Sequence, residues 1–362
     1  MSERSIDILL KKAVELKASD VHFIANEVPA LRIDGQIVKL KIKPYTEQDI
    51  NQAIDLIAPS SMKDTLSYSY DFDFPYEIKD LARFRVNVAM SFGRRAMTIR
   101  IIPYNISTFD TLNLPRRIEK FTELDNGIVL VTGVAGSGKS TTIAALLNHI
   151  NNNHKKHIIT IEDPIEYVYK SNKSILTQRQ IGIDTPNYID GIKYALRQDP
   201  NVILIGEIRD KETVESALHA AETGHLIFAT LHTFNAVQTI NRILSFFGPS
   251  EREMIRSQFA EVFRGSISQK LLPHIDGKGR IPATEILFST PTIKDFMKKD
   301  ELEEIYKLVQ KGGYDDMLTF NQSLYNLVKN NLISEEVALA CSDNEVELRH
   351  YINGVFSGSE GL

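Results

Sequence analysis

Cysteine is almost missing from this chain: Cys341 is the only one among 362 residues. That excludes an internal disulfide and any zinc site built on cysteines, and leaves Cys341 an expected helix-packing role. Long apolar runs are missing as well. No stretch approaches the roughly 20 residues that a bilayer-spanning helix needs, and Met1-Ser2-Glu3-Arg4 does not begin a signal peptide. A basic excess is also absent, since 42 Lys and Arg face 47 Asp and Glu for a net charge of −5. There is thus no global nucleic-acid signature, and a DNA role would need a local basic patch. Internal repeats and low-complexity segments are lacking too. What remains is an ordinary globular composition, 43% apolar and 25% charged, at a length that suggests two domains. The expected location is the cytoplasm, with membrane attachment only through partners.

Against these absences stands one strong presence, Gly133-Val134-Ala135-Gly136-Ser137-Gly138-Lys139-Ser140. It fits the phosphate-loop pattern G-x-x-x-x-G-K-[ST], and its flanks agree. The apolar run Ile128-Val129-Leu130-Val131 reads as a buried strand before it, and Ser140 to Ile150 as the helix after it. Glycines let successive N–H groups face one anion, at a helix N-terminus whose partial positive charge favours phosphate. Lys139 is expected to reach the β- and γ-phosphates and Ser140 to ligate Mg²⁺, with Gly133, Gly136, Ser137, Gly138 and Thr141 completing the cradle. The chain therefore reads as a binder of a nucleoside triphosphate.

Residues 1–103 read as a small α+β domain. Ile6 to Leu16 is an amphipathic helix, Asp20-Val21-His22-Phe23 starts a strand, and Leu31 to Val38 is a hairpin turned on Asp34-Gly35. Thr46 and Asp49 resemble the capped start of a helix ending near Ile57. Ala82 to Met90 and Ala96 to Ile102 alternate as strands around Phe92-Gly93. Residues 104–122 read as a linker after Pro103, with Pro115 inside it. From 123 to 273 strands and helices alternate, which predicts a parallel sheet covered on both faces. Its strands are Ile128–Thr132, His157–Ile161, Val202–Ile205 and Leu226–Thr230, short apolar runs suited to burial on both sides. Asp210 is a good N-cap, and Gly224 a good residue just past that helix's end. Residues 274–362 read as a helical region, with Ser357 to Gly361 as a disordered tail.

A phosphate loop hydrolyses nothing without acidic groups at the carboxyl ends of neighbouring strands. Val202-Ile203-Leu204-Ile205-Gly206-Glu207 ends in one carboxylate, suited to Mg²⁺ or its water shell. Ile158-Ile159-Thr160-Ile161-Glu162-Asp163-Pro164-Ile165-Glu166 ends in three, any of which could polarise an attacking water. His225 and His232 bracket the next strand, and His232 emerges at the edge where a γ-phosphate would sit. A hydrogen-bonded edge histidine is the plainer alternative. In Ala82 to Val88, alternation puts Arg83, Arg85 and Asn87 on one face, and the returning strand brings Arg100 nearly opposite Arg85. Like charges paired across strands are unfavourable unless an anion joins them. The choices are a solvated face or arginines that reach a bound nucleotide, as arginine fingers do.

Together these stretches resemble the type II/type IV secretion ATPase superfamily, and within it the PilT-type pilus retraction ATPases. Ala18-Ser19-Asp20-Val21-His22 and Arg83-Phe84-Arg85-Val86-Asn87 resemble its N-terminal signatures. Thr160 to Glu166 resembles its Asp box, Gly206-Glu207-Ile208-Arg209-Asp210 its Walker B box, and Gly224-His225 with Leu231-His232-Thr233 its His box. The resemblance implies an α/β fold with a PAS-like N-terminal domain, a RecA-like ATPase domain and a helical C-terminal extension. It implies a homohexameric ring in which one subunit's N-terminal domain packs against its neighbour's ATPase domain. It also implies Glu162 as the base for water, Glu207 near Mg²⁺, His232 near the γ-phosphate, and Arg85 with Arg100 reaching the nucleotide. The implied partners are an inner-membrane pilus platform protein and, through it, pilin, with no nucleic acid. Extension and secretion ATPases usually carry an extra N-terminal domain and a four-cysteine zinc module, and neither is expected here. Residues 261–273 and 305–312 also resemble the retraction type. Thr292 to Lys299 stands where that type carries A-I-R-N-L-I-R-E, and keeps only its helical, basic character. An accessory PilU-like motor, or an extension or secretion assembly ATPase, stays open beside a retraction motor. So do, in other classes, a nucleotide switch with little turnover and a DNA translocase, which the lack of a basic, aromatic-interleaved stripe disfavours.

Overall fold

The computed structural model describes residues 5–33, 35–62, 69–79, 81–102, 106–310 and 316–354. The chain divides into two compact units, Met1–Asn105 and Ile106–Leu362. In the first, α1 (Ser5–Glu15), β1 (Asp20–Phe23), β2 (Ala30–Ile33), β3 (Gln36–Lys39), α2 (Glu47–Ile57), β4 (Asp71–Ile78), β5 (Ala82–Ser91) and β6 (Arg94–Ile102) follow in order. The six strands form one antiparallel sheet, ordered β3-β2-β1-β6-β5-β4. Helix α2 starts on the expected box: the Thr46 hydroxyl accepts from the Asp49 N–H at 3.2 Å, and the Asp49 carboxylate from the Thr46 N–H at 2.8 Å. Alternation along β5 buries Phe84, Val86 and Val88 and leaves Arg83, Arg85 and Asn87 on the other face. Strand β4, interrupted by Pro75, pairs with β5 as an edge strand, a position that tolerates proline. Asp34 of the expected hairpin turn lies outside the described residues.

The second unit carries β7 (Gly127–Thr132), α3 (Lys139–Asn153), β8 (His157–Glu162), β9 (Ile175–Gln180), α4 (Tyr188–Ala195) and β10 (Val202–Ile205). Then come α5 (Lys211–Glu222), β11 (Leu226–Leu231), α6 (Ala236–Ser245), α7 (Arg252–Val262), β12 (Phe263–Pro273) and β13 (Arg280–Phe288). Among the described residues, five helices follow: α8 (Pro291–Lys299), α9 (Leu302–Gln310), α10 (Phe320–Lys329), α11 (Glu335–Cys341) and α12 (Glu345–Ile352). The sheet order is β13-β12-β7-β11-β10-β8-β9, parallel throughout except for β13. Strand β7 is buried along its whole length. Its Ile128 and Leu130 join a core under α4, α5, α6 and α7, and its Val129 and Val131 join one under α3. That two-sided burial is why its sequence is continuously apolar.

Three expectations need correction. Residues 280–288 are a strand of the sheet rather than part of a helical region, and 263–273, inside the alternating stretch, form a strand that the sequence reading did not name. The sheet therefore runs past residue 273, and the helical extension starts at α8. Residues 106–122 are no free linker: Phe109, Leu114, Ile118 and Phe121 are buried against Val129 and Val131 in the core of the second unit. Lastly, β9 extends the sheet beyond β8. Residues 103–105, with Pro103, and the tail from 355 onward lie outside the described residues.

Candidate active site

Strands β7, β8, β10 and β11 run parallel, so the segments leaving their carboxyl ends emerge at one edge. That edge holds the phosphate loop after β7, Glu162 at the end of β8, Glu207 after β10 and His232 after β11. The residues bound one cavity of about 250 Å³, lined among others by Gly136, Lys139, Ser140, Glu162, Glu207 and His232. Crevices at the carboxyl ends of parallel strands are where open α/β sheets bind ligands.

The loop's conformation depends on glycine. Gly133 has φ 145°, and a Cβ there would meet the Gln269 carbonyl oxygen at 2.4 Å and the Ser137 hydroxyl at 2.5 Å. Gly138 caps α3 with φ 91°, and a Cβ there would approach the Gln269 amide nitrogen at 2.7 Å. Gln269, on β12, is a contact that sequence reasoning missed. Its amide donates to the Ser137 carbonyl at 2.8 Å and accepts from the Thr142 hydroxyl at 2.6 Å, tying both ends of the loop's second half to the sheet. The Lys139 ammonium donates to the carbonyls of Gly133 at 2.8 Å and Val134 at 3.1 Å. Burial pulls its pKa down, and the nearby Glu207 and Glu166 oppose that pull. Ser140 stands in the first turn of α3 at the cavity wall, and the Thr141 hydroxyl is 2.7 Å from that of Tyr167.

Glu162 is 8% exposed. Burial raises its carboxyl to about 7, against the opposing hydrogen bonds. These come from the Thr160 hydroxyl at 2.6 Å and the Gln178 amide at 3.4 Å, both to Oε1, with the Glu166 N–H at 3.5 Å from Oε2. Thr160 lies two residues back on the same strand face, and Gln178 comes from the neighbouring β9. A carboxylate tuned close to neutrality beside a phosphate loop matches what proton abstraction from water requires. Of the three candidates after β8, Glu162 alone combines that burial with the strand end.

Glu207 takes one guanidinium and one imidazole. Its Oε2 lies 2.6 Å from Arg209 and its Oε1 lies 3.3 Å from His232 Nε2. Arg209 also approaches Asp163 at 3.9 Å, so one guanidinium spans two boxes that sequence reasoning treated separately. The hydroxyl of Ser140 and the carboxylate of Glu207 are hard oxygen donors of the kind Mg²⁺ takes, with water completing its shell. His225 stays at the opposite end of β11, where its Nδ1 meets the Ala220 carbonyl at 2.9 Å behind α5, away from the cavity.

Arg85 and Arg100 belong to the first unit and are direct cross-strand partners. Each has its own carboxylate there: Asp73 at 3.3 Å from Arg85, and Asp20 at 2.9 Å from Arg100. Asp20 is buried and also accepts from the Ser19 hydroxyl at 2.8 Å. The Ala18-Ser19-Asp20 signature thus has a local physical task, holding Arg100 in place. The Arg100 side chain remains 65% exposed.

A second cavity, of about 310 Å³, is lined by Gly138, Thr141 and Thr142, so that the first turn of α3 stands between it and the first. Leu112, Leu114 and Leu271 give it apolar walls, and Asn113 and Arg280 add polar groups. None of these five residues was read as part of a binding site, because they come from the stretch read as linker and from β12 and β13, which the sequence reading did not name as strands.

A strand–loop–helix phosphate cradle, with acidic groups on β8 and on β10 and with β11 between β10 and β7, defines a P-loop nucleotide-binding protein on a RecA-like sheet. More narrowly, the chain belongs to the type II/IV secretion system protein family, whose model matches residues 1–344. It is similar to the type IV pilus retraction ATPase PilT of Pseudomonas aeruginosa, 39% identical over 331 residues, which cover 91% of this chain and 96% of that protein. The type IV pilus ATPase PilU of the same organism is 34% identical over 341 residues, covering 94% and 89%. Among solved structures, the pilus retraction motor PilT with bound ADP matches with a TM-score of 0.89 at 42% identity, over 96% of this chain and all of that one. Among the described residues no helix is long and apolar enough to cross a membrane.

Proposed function

We propose that this chain hydrolyses ATP with Mg²⁺ and, as a homohexamer, drives retraction of type IV pili. The observation that carries the chemistry is Glu162, a buried carboxyl raised to about 7 at the wall of the phosphate cavity. Mg²⁺, held by Ser140 and by Glu207 partly through water, would neutralise charge on the phosphates. Glu162 accepts the proton of the attacking water. Lys139 exchanges its two loop carbonyls for β- and γ-phosphate oxygens, and His232 stands by the γ-phosphate. The base and ribose go to the second cavity, where Leu112, Leu114 and Leu271 offer apolar surface to a flat ring. In the ring, the PAS-like first unit meets a neighbour's ATPase unit and delivers Arg85 and Arg100. The motor works in the cytoplasm against an inner-membrane platform protein, and through it on pilin.

Similarity to PilT over most of both chains supports retraction as the direction of work. An accessory role has one observation in its favour: α8 keeps the helical, basic character of the retraction type's C-terminal motif without its residues. There Lys294 and Lys298 reach the Glu261 carboxylate at 3.4 and 2.5 Å. Deleting the gene and scoring surface pili separates the readings. Excess pili fit retraction, absent pili mean extension, and unchanged pili mean an accessory role. Lys139→Ala should lose turnover on the order of 10²-fold or more, since it removes a charge aimed at the transferred phosphoryl group. The same allele should fail to restore normal piliation; a folded variant with the parent's phosphate-release rate would remove the phosphate-loop assignment.

A further inference from the structure

Behind the cavity lies a buried polar chain that the proposed chemistry does not use. Glu285, on β13, is 7% exposed. Its Oε1 accepts from the backbone N–H of Ala236 at 2.6 Å, with the Ser268 hydroxyl at 3.5 Å. Ala236 is the first residue of α6, after the N-cap Asn235, whose side chain takes the Gln238 N–H at 2.9 Å. A helix start offers N–H groups with no intrahelical partner and a partial positive charge, and a carboxylate answers both.

The chain continues in two directions. Ser268 lies 3.1 Å from the hydroxyl of Thr132, the last residue of β7 before Gly133. The Thr239 hydroxyl reaches Thr132 at 3.5 Å and also lies 2.7 Å from that of Thr233, the residue after His232. Thr132, Ser268 and Thr239 are fully enclosed. The segment from His232 to Asn235 is therefore held at both ends. Leu231 is fixed by its pairing with Thr132, and the start of α6 by Glu285.

We infer that Glu285 is a positioning residue for hydrolysis: by accepting the Ala236 N–H it fixes the start of α6, and with it His232 against Glu207. It is not among the residues that line the phosphate cavity and acts through the helix. The hydrogen bond, not the charge, is the operative feature, because any acceptor of the same reach would hold that N–H. Burial, which raises the Glu285 carboxyl to about 7, agrees with a group whose ionisation is not what the site needs. The inference rests on the proposed ATPase reading of the same cavity.

The test compares Glu285→Gln, which keeps the acceptor, with Glu285→Met, which keeps the length and removes it. Neither buries a charge; Glu285→Gln should melt no lower than the parent, whereas Glu285→Met leaves the buried Ala236 N–H without its acceptor, which costs stability. Glu285→Met is expected to lower kcat for ATP about tenfold with KM within twofold, and Glu285→Gln to stay within threefold of the parent in both. The imidazole NMR signal of His232 should shift or broaden in Glu285→Met and match the parent in Glu285→Gln. If Glu285→Met does not fold, Thr239→Val cuts the same chain at the Thr233 link and should reproduce the loss of kcat at constant KM. Parent-like kcat in Glu285→Met, equal losses in Gln and Met, or a rise in KM alone each overturn the inference. A parent protein that releases no phosphate sinks the ATPase reading instead, and the His232 signal still tests the link between Glu285 and that loop.

Discussion

Glu162→Gln should bind ATP like the parent and hydrolyse it about 10²–10⁴ times more slowly, the usual contribution of a general base. The amide keeps the size of the side chain and an oxygen for the Thr160 hydroxyl, now 2.6 Å from Oε1, so the wall of the cavity should keep its shape. What is lost is the capacity to take a proton. In the parent, kcat/KM for ATP should rise as pH passes about 7, where the free protein's Glu162 ionises, and level off above it. In the variant that limb should vanish. Single-turnover phosphate release together with a fluorescent-ATP titration distinguishes the steps: a variant within a few-fold of the parent's rate removes Glu162 from the chemistry.

The same substitution has a stability consequence of opposite sign. The folded-state value of Glu162 lies above the ordinary carboxyl value of 4.5, so its ionised form opposes folding. That penalty is absent below about pH 4.5, grows as the pH rises towards 7, and is constant beyond. Glu162→Gln should therefore stabilise the protein above pH 7, by about 3 kcal/mol at most. Melting curves at pH 5 and pH 8 check it: the gain in Tm should be larger at pH 8. An equal gain at both would trace the effect to packing rather than to charge. A site that becomes more stable when its working group is neutralised is the usual trade of stability for activity.

The second large effect belongs to the other unit. If Arg100 reaches the transition state of a neighbouring subunit, its loss should cost roughly 10³–10⁵ in turnover while ATP still binds. Arg100→Gln is the better variant, because truncation to alanine would leave the buried Asp20 without the donor that now lies at 2.9 Å. Mixing Arg100→Gln subunits with Lys139→Ala subunits sharpens the result. A mixed ring contains some sites with Lys139 of one chain and Arg100 of its neighbour, so activity should partly return although each variant alone is inactive. Recovery failing in rings shown by native mass spectrometry to be mixed would assign the arginines to their own chain or to structure alone. Arg85, 37% exposed and paired with Asp73, should give a smaller loss if it only supports Arg100.

The parts of the site legible in the sequence were those whose chemistry coincides with a pattern break. The phosphate loop is a glycine run between an apolar strand and a helix, and Glu162, Glu207 and His232 each end or follow a buried, mostly apolar strand. The parts that stayed hidden come from strands without that contrast. Strand β9, Ile175 to Gln180, is half-exposed and mostly polar, so nothing in it reads as a strand, yet it brings Gln178 to Glu162. Strand β12 carries Ser266, Ser268 and Gln269 inward, and polar residues in a core position break the apolar run by which buried strands are recognised. Strand β13 contains Pro282, which sequence patterns treat as a strand breaker, although its place at the sheet edge tolerates it. Those polar interruptions are where Gln269, Ser268 and Glu285 meet the loop and α6. Pairing of Arg85 with Arg100 was readable from alternation, but their carboxylate partners Asp73 and Asp20 were not, since register across β4 and β1 has no local signature.

Gln269 has a consequence for how the nucleotide state is sensed. The phosphate loop is braced from behind by β12, through the amide of Gln269 and through a backbone approach that only glycine allows at residue 133. A cradle braced by the protein's own contacts loses little freedom on binding, so its grip on phosphates is largely preorganised. Such a cradle grips the α- and β-phosphates alike in substrate and product. On the proposed reading, telling ATP from ADP would then fall to the groups at the strand ends, Glu162, Glu207 and His232, so the three side chains assigned to hydrolysis would also report that it has happened.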